Sequence, residues 1–239
     1  MREVTFTLEY ESEVDPVMDI LIESPDVAAY SIDSCASRDR FWRVERFTGP
    51  TDALERVERA RLDDEQRERM TKSHCGASRH HELLESTPNS RVFYSYIHDL
   101  HRCDSVVGNS ARYLDLGMVF QTSRSGSMHE WRLLVRSKEN VDTFFDTVED
   151  NLQEGVALHF DRLCEVESWD IDSLSMVSLP EDQRDVLRLA VERGYYETPR
   201  QVTIDELAAE LDVPSSTLSY RLRRAEAQMA EGFVESYAR

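Results

Sequence analysis

Between Thr203 and Met229 the chain shows two helical periodicities joined by one tight turn, and this pattern restricts the fold more than any other stretch. Ile204, Leu207, Ala208 and Leu211 fall at i, i+3, i+4 and i+7, one apolar face of a short helix. Thr203 and Glu206 stand at the spacing of a capping box at its start. Val213 is expected to plug the turn. A further helix follows with Leu218, Leu222, Ala225 and Met229 on its inner side. Upstream, Glu181 to about Arg193 reads as another helix, with Ser178 as N-cap, Pro180 in the first turn and Gly194 as the stop. Helix, tight turn and hydroxyl-led helix form a helix-turn-helix, a unit that lays its last helix in the major groove of double-stranded DNA.

The residues left outside on that last helix are the expected contact surface. Ser215, Ser216, Thr217, Ser219 and Tyr220 occupy its N-terminal half, where a recognition helix reaches base edges. Hydroxyls pair with several bases and give register more than a sharp code. Arg221, Arg223 and Arg224 suit phosphates, and Arg223 also suits a guanine edge. The plain alternative is a set of solvated surface arginines. Their concentration within four positions beside the turn argues for contact.

The charge balance runs against a DNA binder at first sight. Net charge is −19, and residues 179–239 hold eight arginines against twelve carboxylates. Phosphate-binding surfaces are ordinarily basic. Lysine occurs only at Lys72 and Lys138, so nearly all basic residues are arginine. Acid in excess with almost no lysine resembles proteins of salt-accumulating halophiles, where molar salt shortens the Debye length to roughly 3 Å and screens such repulsion. The chain holds no apolar run long enough to span a bilayer and no charged-then-apolar leader, so a cytoplasmic location is expected.

Residues 1–164 read as alternating strands and helices. Strand patterns are seen at Val4–Tyr10, Ala28–Ile32, Phe41–Phe47, Arg91–Ile97, Tyr113–Gln121, Trp131–Val135 and Val156–Phe160. Helices are expected over Val17–Ile22, from Thr51 after the Gly49-Pro50 break, and over Val141–Asn151, with a turn at residues 123–127. Asp63 to Asn89 is charged and weakly patterned. The β-α-β-β-α-β rhythm predicts an α+β domain with an antiparallel, ferredoxin-like sheet, followed by a Ser- and acid-rich linker at 165–178 and an all-α domain at 179–239.

One cluster in the first domain suits a metal. His74, Cys75, His98, His101 and Cys103 lie within thirty residues, with His80 and His81 between them. Imidazole and thiolate are ligands that zinc prefers, although the spacing matches no strong signature and a His-rich surface loop is the plain reading. The four cysteines form no Cys-x-x-Cys pair and are expected as reduced thiols, with redox sensing through Cys75 and Cys103 a related possibility. No nucleophile elbow, phosphate-binding glycine loop or HExxH motif points to an enzyme.

The runs Leu179–Leu187, Glu192-Arg193-Gly194-Tyr195-Tyr196, Pro199-Arg200, Thr203–Ala208, Ser216-Thr217-Leu218 and Arg221–Glu226 together resemble the bacterio-opsin activator type of helix-turn-helix. The resemblance spans about residues 178–236. It implies a haloarchaeal transcriptional regulator whose DNA-binding domain is similar to region four of sigma factors. Two positions depart from the pattern. Asp212 stands where a glycine is common and is expected to take a positive φ, which Asp tolerates. Pro214 replaces the usual Ser cap.

The resulting expectation is a regulator that binds DNA as a homodimer, its N-terminal domain serving signal reception, dimerisation or both. The alternative is a metal-binding or thiol-based sensor whose C-terminal helices dock on the basal transcription machinery instead of DNA.

Overall fold

The computed structural model describes residues 1–63, 69–73, 75–114, 116–166 and 179–237. The chain divides into two compact units, Met1–Leu174 and Ser175–Arg239. Among the described residues no helix is long and apolar enough to cross a membrane.

The first unit is built on strands β1 (Arg2–Tyr10), β2 (Ala28–Ser37), β3 (Arg40–Thr48), β4 (Ser78–Thr87), β5 (Ser90–His98), β6 (Val119–Ser125), β7 (Met128–Val135) and β8 (Val156–Glu165). Its helices are α1 (Pro16–Glu23), α2 (Thr51–Leu62), α3 (Val106–Tyr113) and α4 (Val141–Asn151). The strands form one sheet in the order β4-β5-β3-β2-β6-β7-β1-β8, every neighbouring pair antiparallel. The chain thus runs twice through a βαββαβ unit. Read from one edge the halves are β4-β5-β3-β2, and from the other β8-β1-β7-β6. The order repeats with the first strands, β1 and β5, exchanged between halves, so the expected ferredoxin-like motif occurs twice and interlocked.

Period-two burial sets the faces. Val4, Phe6, Leu8 and Tyr10 of β1 are buried, as are His129, Trp131, Leu133 and Val135 of β7. They pack with Val106 and Val107 of α3 and Phe144 and Val148 of α4 in the larger core, apart from His129, which tilts against the Trp131 ring. A second core joins Val17, Ile20 and Leu21 of α1 to Leu54 and Val57 of α2 over Phe47 and Phe93. Helix α1 begins where Asp15 accepts bonds from the amides of Val17 and Met18, both at 3.0 Å, with Pro16 in the first helical position.

The halves meet where β2 pairs with β6, and there Ser31 Oγ and Thr122 Oγ1 lie 2.9 Å apart, both buried; the polar cluster continues into β3. Arg43 Nε and Nη2 donate to Asp33 Oδ2 at 2.9 and 2.8 Å, and Ser31 Oγ donates to Asp33 Oδ1 at 2.6 Å. Burial pushes the Asp33 carboxyl above its ordinary pKa against the opposing pull of Arg43. Glu45 of β3 pairs with Arg61 of α2 at 2.6 Å within its own half and with Arg124 of β6 at 3.5 Å in the other, so one ion pair spans the halves.

Several expectations need correction. The stretch from Asp63 to Asn89 contains β4, whose alternating exposure leaves few apolar residues to betray it. Helix α3 was not expected. It is only eight residues long, and its buried face includes Gly108, Asn109 and Ser110 beside Val106, Val107 and Ala111, residue types that give little helical signal. Tyr113 closes that helix, and the strand placed at Tyr113–Gln121 begins only at Val119. Strand β8 runs to Glu165, and residues 167–178 of the expected linker lie outside the described residues.

Candidate nucleic-acid interface

The second unit consists of α5 (Glu181–Glu192), α6 (Ile204–Glu210) and α7 (Ser215–Tyr237). Pro180 stands at the N-cap position of α5, not in its first turn, and its carbonyl accepts from Gln183 and Arg184 at 3.0 and 2.9 Å. Ser178, the expected cap, lies outside the described residues. Gly194 ends α5 at φ 73°, and an added Cβ would meet Gln201 Cγ at 2.9 Å, so the position suits glycine.

The capping box of α6 is present. Glu206 Oε2 accepts from the Thr203 amide at 2.7 Å, and Thr203 Oγ1 accepts from the Glu206 amide at 3.4 Å. The bond from the Thr203 backbone, followed by that from its hydroxyl, holds the Glu206 carboxyl below its ordinary pKa. The turn into α7 passes through Asp212 at φ 53°, the positive value expected from the sequence. The Val213 amide closes it on Ala208 O at 3.0 Å.

Leu207 and Ala208 of α6 and Leu218 and Leu222 of α7 pack with Val186 and Ala190 of α5 in one core. That core fixes which face of α7 remains outside. Ser216, Ser219, Tyr220 and Arg223 are exposed, at i, i+3, i+4 and i+7, opposite buried Leu218, Leu222 and Ala225. Ser215, Thr217, Arg221 and Arg224 are half-buried along the margins of this stripe. The Arg224 guanidinium lies 6.0 Å from the Tyr220 ring centroid, where a cation–π attraction operates.

Arg221 Nε lies 2.9 Å from Asp182 Oδ2 on α5, a tie between helices, with its side chain about one-third exposed. One residue differs from expectation. Met229, expected inside, is 45% exposed because the helical core has ended by that turn. Two contacts escaped sequence reading: Tyr196 donates to Glu226 Oε1 at 2.7 Å, and Arg193 pairs with Glu210. Both link residues far apart in sequence with no local spacing to mark them. Burial first, then Glu226, pushes the Tyr196 phenol above its ordinary pKa.

Among the described residues, those proposed for zinc are not brought together as a ligand set. Cys75 and Cys103 are bonded to each other as a disulfide, which corrects the expectation of four reduced thiols and leaves neither as a thiolate. Strands β4 and β5 pair from Ser78↔His98, so Cys75, just before β4, and Cys103, just after β5, meet at one end of the hairpin. His98 Nδ1 lies 3.2 Å from Asp99 Oδ2, and His101 Nδ1 lies 2.9 Å from Asp39 Oδ1. Asp39, Asp99 and His101 form a mostly carboxylate group close enough for one ion, all on a solvent-facing corner. His74 lies outside the described residues. Cys35 is buried beside Asp33, and its thiol is pushed up to about 12 by burial and then by that carboxylate. Cys164 is free and half-buried.

Comparison with known proteins agrees with both units. Residues 179–231 match the model of an HTH DNA binding domain, HTH_10. Two similar curated proteins are the dimethyl sulfoxide reductase transcriptional activators of Haloferax volcanii and Halobacterium salinarum. The first is 39% identical over 64 residues, 27% of this chain and 30% of the relative. The second is 36% identical over 65 residues, 27% of this chain and 29% of the relative. The chain therefore matches less than a third of the length of either relative. The C-terminal unit is an HTH DNA-binding domain of the bacterio-opsin activator type. Residues 3–169, more than half of the chain, match the N-terminal model HVO_2928_N, and the chain belongs to that family.

Proposed function

We propose that this chain is a sequence-specific transcriptional regulator that lays α7 in the major groove, while its N-terminal unit receives a signal, dimerises, or does both. The observation that carries the reading is the exposed stripe Ser216, Ser219, Tyr220 and Arg223 on the helix that follows the tight turn. Hydroxyls at the start of such a helix reach base edges, and Arg223 can reach guanine O6 and N7 or a phosphate. Arg224 stays at the margin beside Tyr220 and suits the backbone. Arg221, which serves Asp182, contributes by holding α7 in place.

The acidic balance of the chain fits work in strong salt. Counterion release gives little affinity there, so direct contacts and shape carry more of the binding than in a basic repressor. A chain with this domain acts where DNA is, which supports a cytoplasmic location. Haloarchaeal relatives named as transcriptional activators support the regulatory reading.

Selection of duplexes from a random pool by the full-length protein in molar KCl tests the proposal. The expected result is an enriched motif with two related half-sites about 10 base pairs apart, as a dimer presenting two copies of α7 requires. Recovery of unenriched sequence would contradict it, and a single half-site would remove the dimer.

A further inference from the structure

Deepening the signal-receiving role proposed above, and resting on it, we propose that the Cys75–Cys103 pair is a redox-active site that switches between disulfide and dithiol in exchange with a dithiol/disulfide carrier. Disulfides are rare where DNA is kept, and those found there are usually catalytic or redox-sensing. The pair is chemically set apart from the remaining cysteines. Cys35 is a buried thiol whose proton burial and Asp33 hold firmly, and Cys164 is single.

The surroundings suit reversible chemistry more than a core staple. Cys75 and Cys103 pack with Ala77 and Ile97 in a small cluster at the margin of the larger core, which Ile97 also touches. Both cysteines line a cavity of about 30 Å³ shared with Arg43, Arg79, Met70 and Trp131. That is room for one or two water-sized groups, enough for a sulfur to turn. Arg79, on the wall of that cavity, and the N-terminus of α3 bring positive charge to where a thiolate forms on reduction, while Arg43 is engaged by Asp33. The Ser105 hydroxyl, which caps α3, lies 3.1 Å from Cys103 Sγ and can donate to that thiolate.

The exchange balances as two electrons and two protons. A carrier thiolate attacks Cys75 Sγ, the less buried of the two sulfurs' residues at 8% against 2% exposure, and Cys103 leaves as a thiolate. The second carrier thiol then displaces Cys75, and the carrier departs as the disulfide with both protein sulfurs reduced and protonated from solvent. Oxidation is the reverse.

The bond closes a strap with consequences beyond itself. Residues 69–73 lie along the end of α4: the Lys72 amide donates to Asn151 O at 2.9 Å, Lys72 Nζ to Asp150 O at 2.8 Å, and the Gln153 amide to Met70 O at 3.2 Å. On the other side Ser73 Oγ donates to Asp104 Oδ2 at 2.8 Å, beside Cys103. Helix α3 presses on Cys103 so closely that any Cβ at Gly108 would overlap the Cys103 carbonyl oxygen. Reduction therefore frees a strap held between the start of α3 and the end of α4, and α4 leads directly into β8, the last described strand of the N-terminal unit.

The test uses the full-length protein in molar KCl, poised with reduced or oxidised dithiothreitol. Cysteine alkylation read by mass spectrometry reports the bond, hydrogen exchange reports the strap, and affinity for a duplex selected by the protein reports DNA binding. The expected results are reversible labelling of both Cys75 and Cys103, faster exchange over 69–73 and the first turn of α3 on reduction, and an affinity change of about five-fold or more, the lower range of allosteric couplings. Cys75→Ser and Cys103→Ser should each hold one affinity under both conditions, while Cys164→Ser still switches. Identical exchange and affinity in both states would overturn the proposal and make the bond a structural staple, as would a pair that never reduces in the folded chain. If no duplex is bound in either state, the DNA-binding reading falls. The redox proposal is then decided by hydrogen exchange: a redox-dependent strap sustains it, and an unchanged strap ends it.

Discussion

Arg221 Nε lies 2.9 Å from Asp182 Oδ2, joining α7 to the first turn of α5. One of three clustered arginines is thereby drawn into the architecture while Arg223, two positions on, faces solvent. Both side chains of the pair are about one-third exposed, so the bond is worth about 0.2–1 kcal/mol after solvent screening. Arg221→Ala is expected to lower the stability of the C-terminal unit by no more than that. Denaturation in molar KCl checks it.

Leu222 is 3% exposed among Val186, Ala190, Leu207 and Leu218. Leu222→Ala should cost about 2–5 kcal/mol through lost burial and the cavity left behind. A unit this small has little reserve beyond that. The expected outcome in calorimetry is loss or a large downward shift of one transition, with the transition of the N-terminal unit unchanged.

The capping box of α6 should make the C-terminal unit acid-sensitive. Glu206 has its folded pKa lowered from 4.5 by bonds from Thr203, so it binds its proton less readily folded than unfolded. Its contribution is fully present above 4.5 and is lost as pH falls through the lowered folded value. Glu206→Gln should flatten that part of the stability profile. An unchanged acid limb in the variant would show that the bonds from Thr203 do not discriminate between protonation states.

Asp33 of β2 and Arg43 of β3 form a buried pair beside the seam, their side chains 0% and 5% exposed. Asp33→Ala leaves a guanidinium buried without this carboxylate and should destabilise the N-terminal unit by about 3–5 kcal/mol. Replacing both residues by methionine should recover most of the loss, because the pair's desolvation cost is removed with it. Chemical denaturation of the single and double variants measures both effects.

What the sequence disclosed follows from where its signals lie. The C-terminal unit was legible because its devices are local: the Thr203–Glu206 box, the i, i+3, i+4 faces and the Asp212 turn all operate within a few residues. Contacts across that unit, Arg221 with Asp182 and Tyr196 with Glu226, have no local period and were not visible. In the N-terminal unit the β-α-β-β-α-β rhythm was readable, but its duplication was hidden by β4 and α3. One has charged residues on both faces, and the other is a single eight-residue helix whose buried face includes Gly108, Asn109 and Ser110. The exchange of β1 and β5 is a long-range property that no sequence pattern encodes. The disulfide was missed for the same reason, since only the β4–β5 register brings Cys75 to Cys103.

The central claim, that the exposed stripe of α7 reads DNA, is tested most directly by anisotropy titration of a selected duplex and a scrambled duplex in molar KCl with wild-type protein and Arg223→Ala. The expected result is preferential binding of the selected duplex by the wild type. Arg223→Ala should weaken that binding by about 1–3 kcal/mol, with a much smaller change on the scrambled duplex. Equal affinity of the wild type for both duplexes, or an Arg223→Ala protein that binds the selected duplex as tightly as the wild type, would contradict the assignment of α7 as the recognition helix.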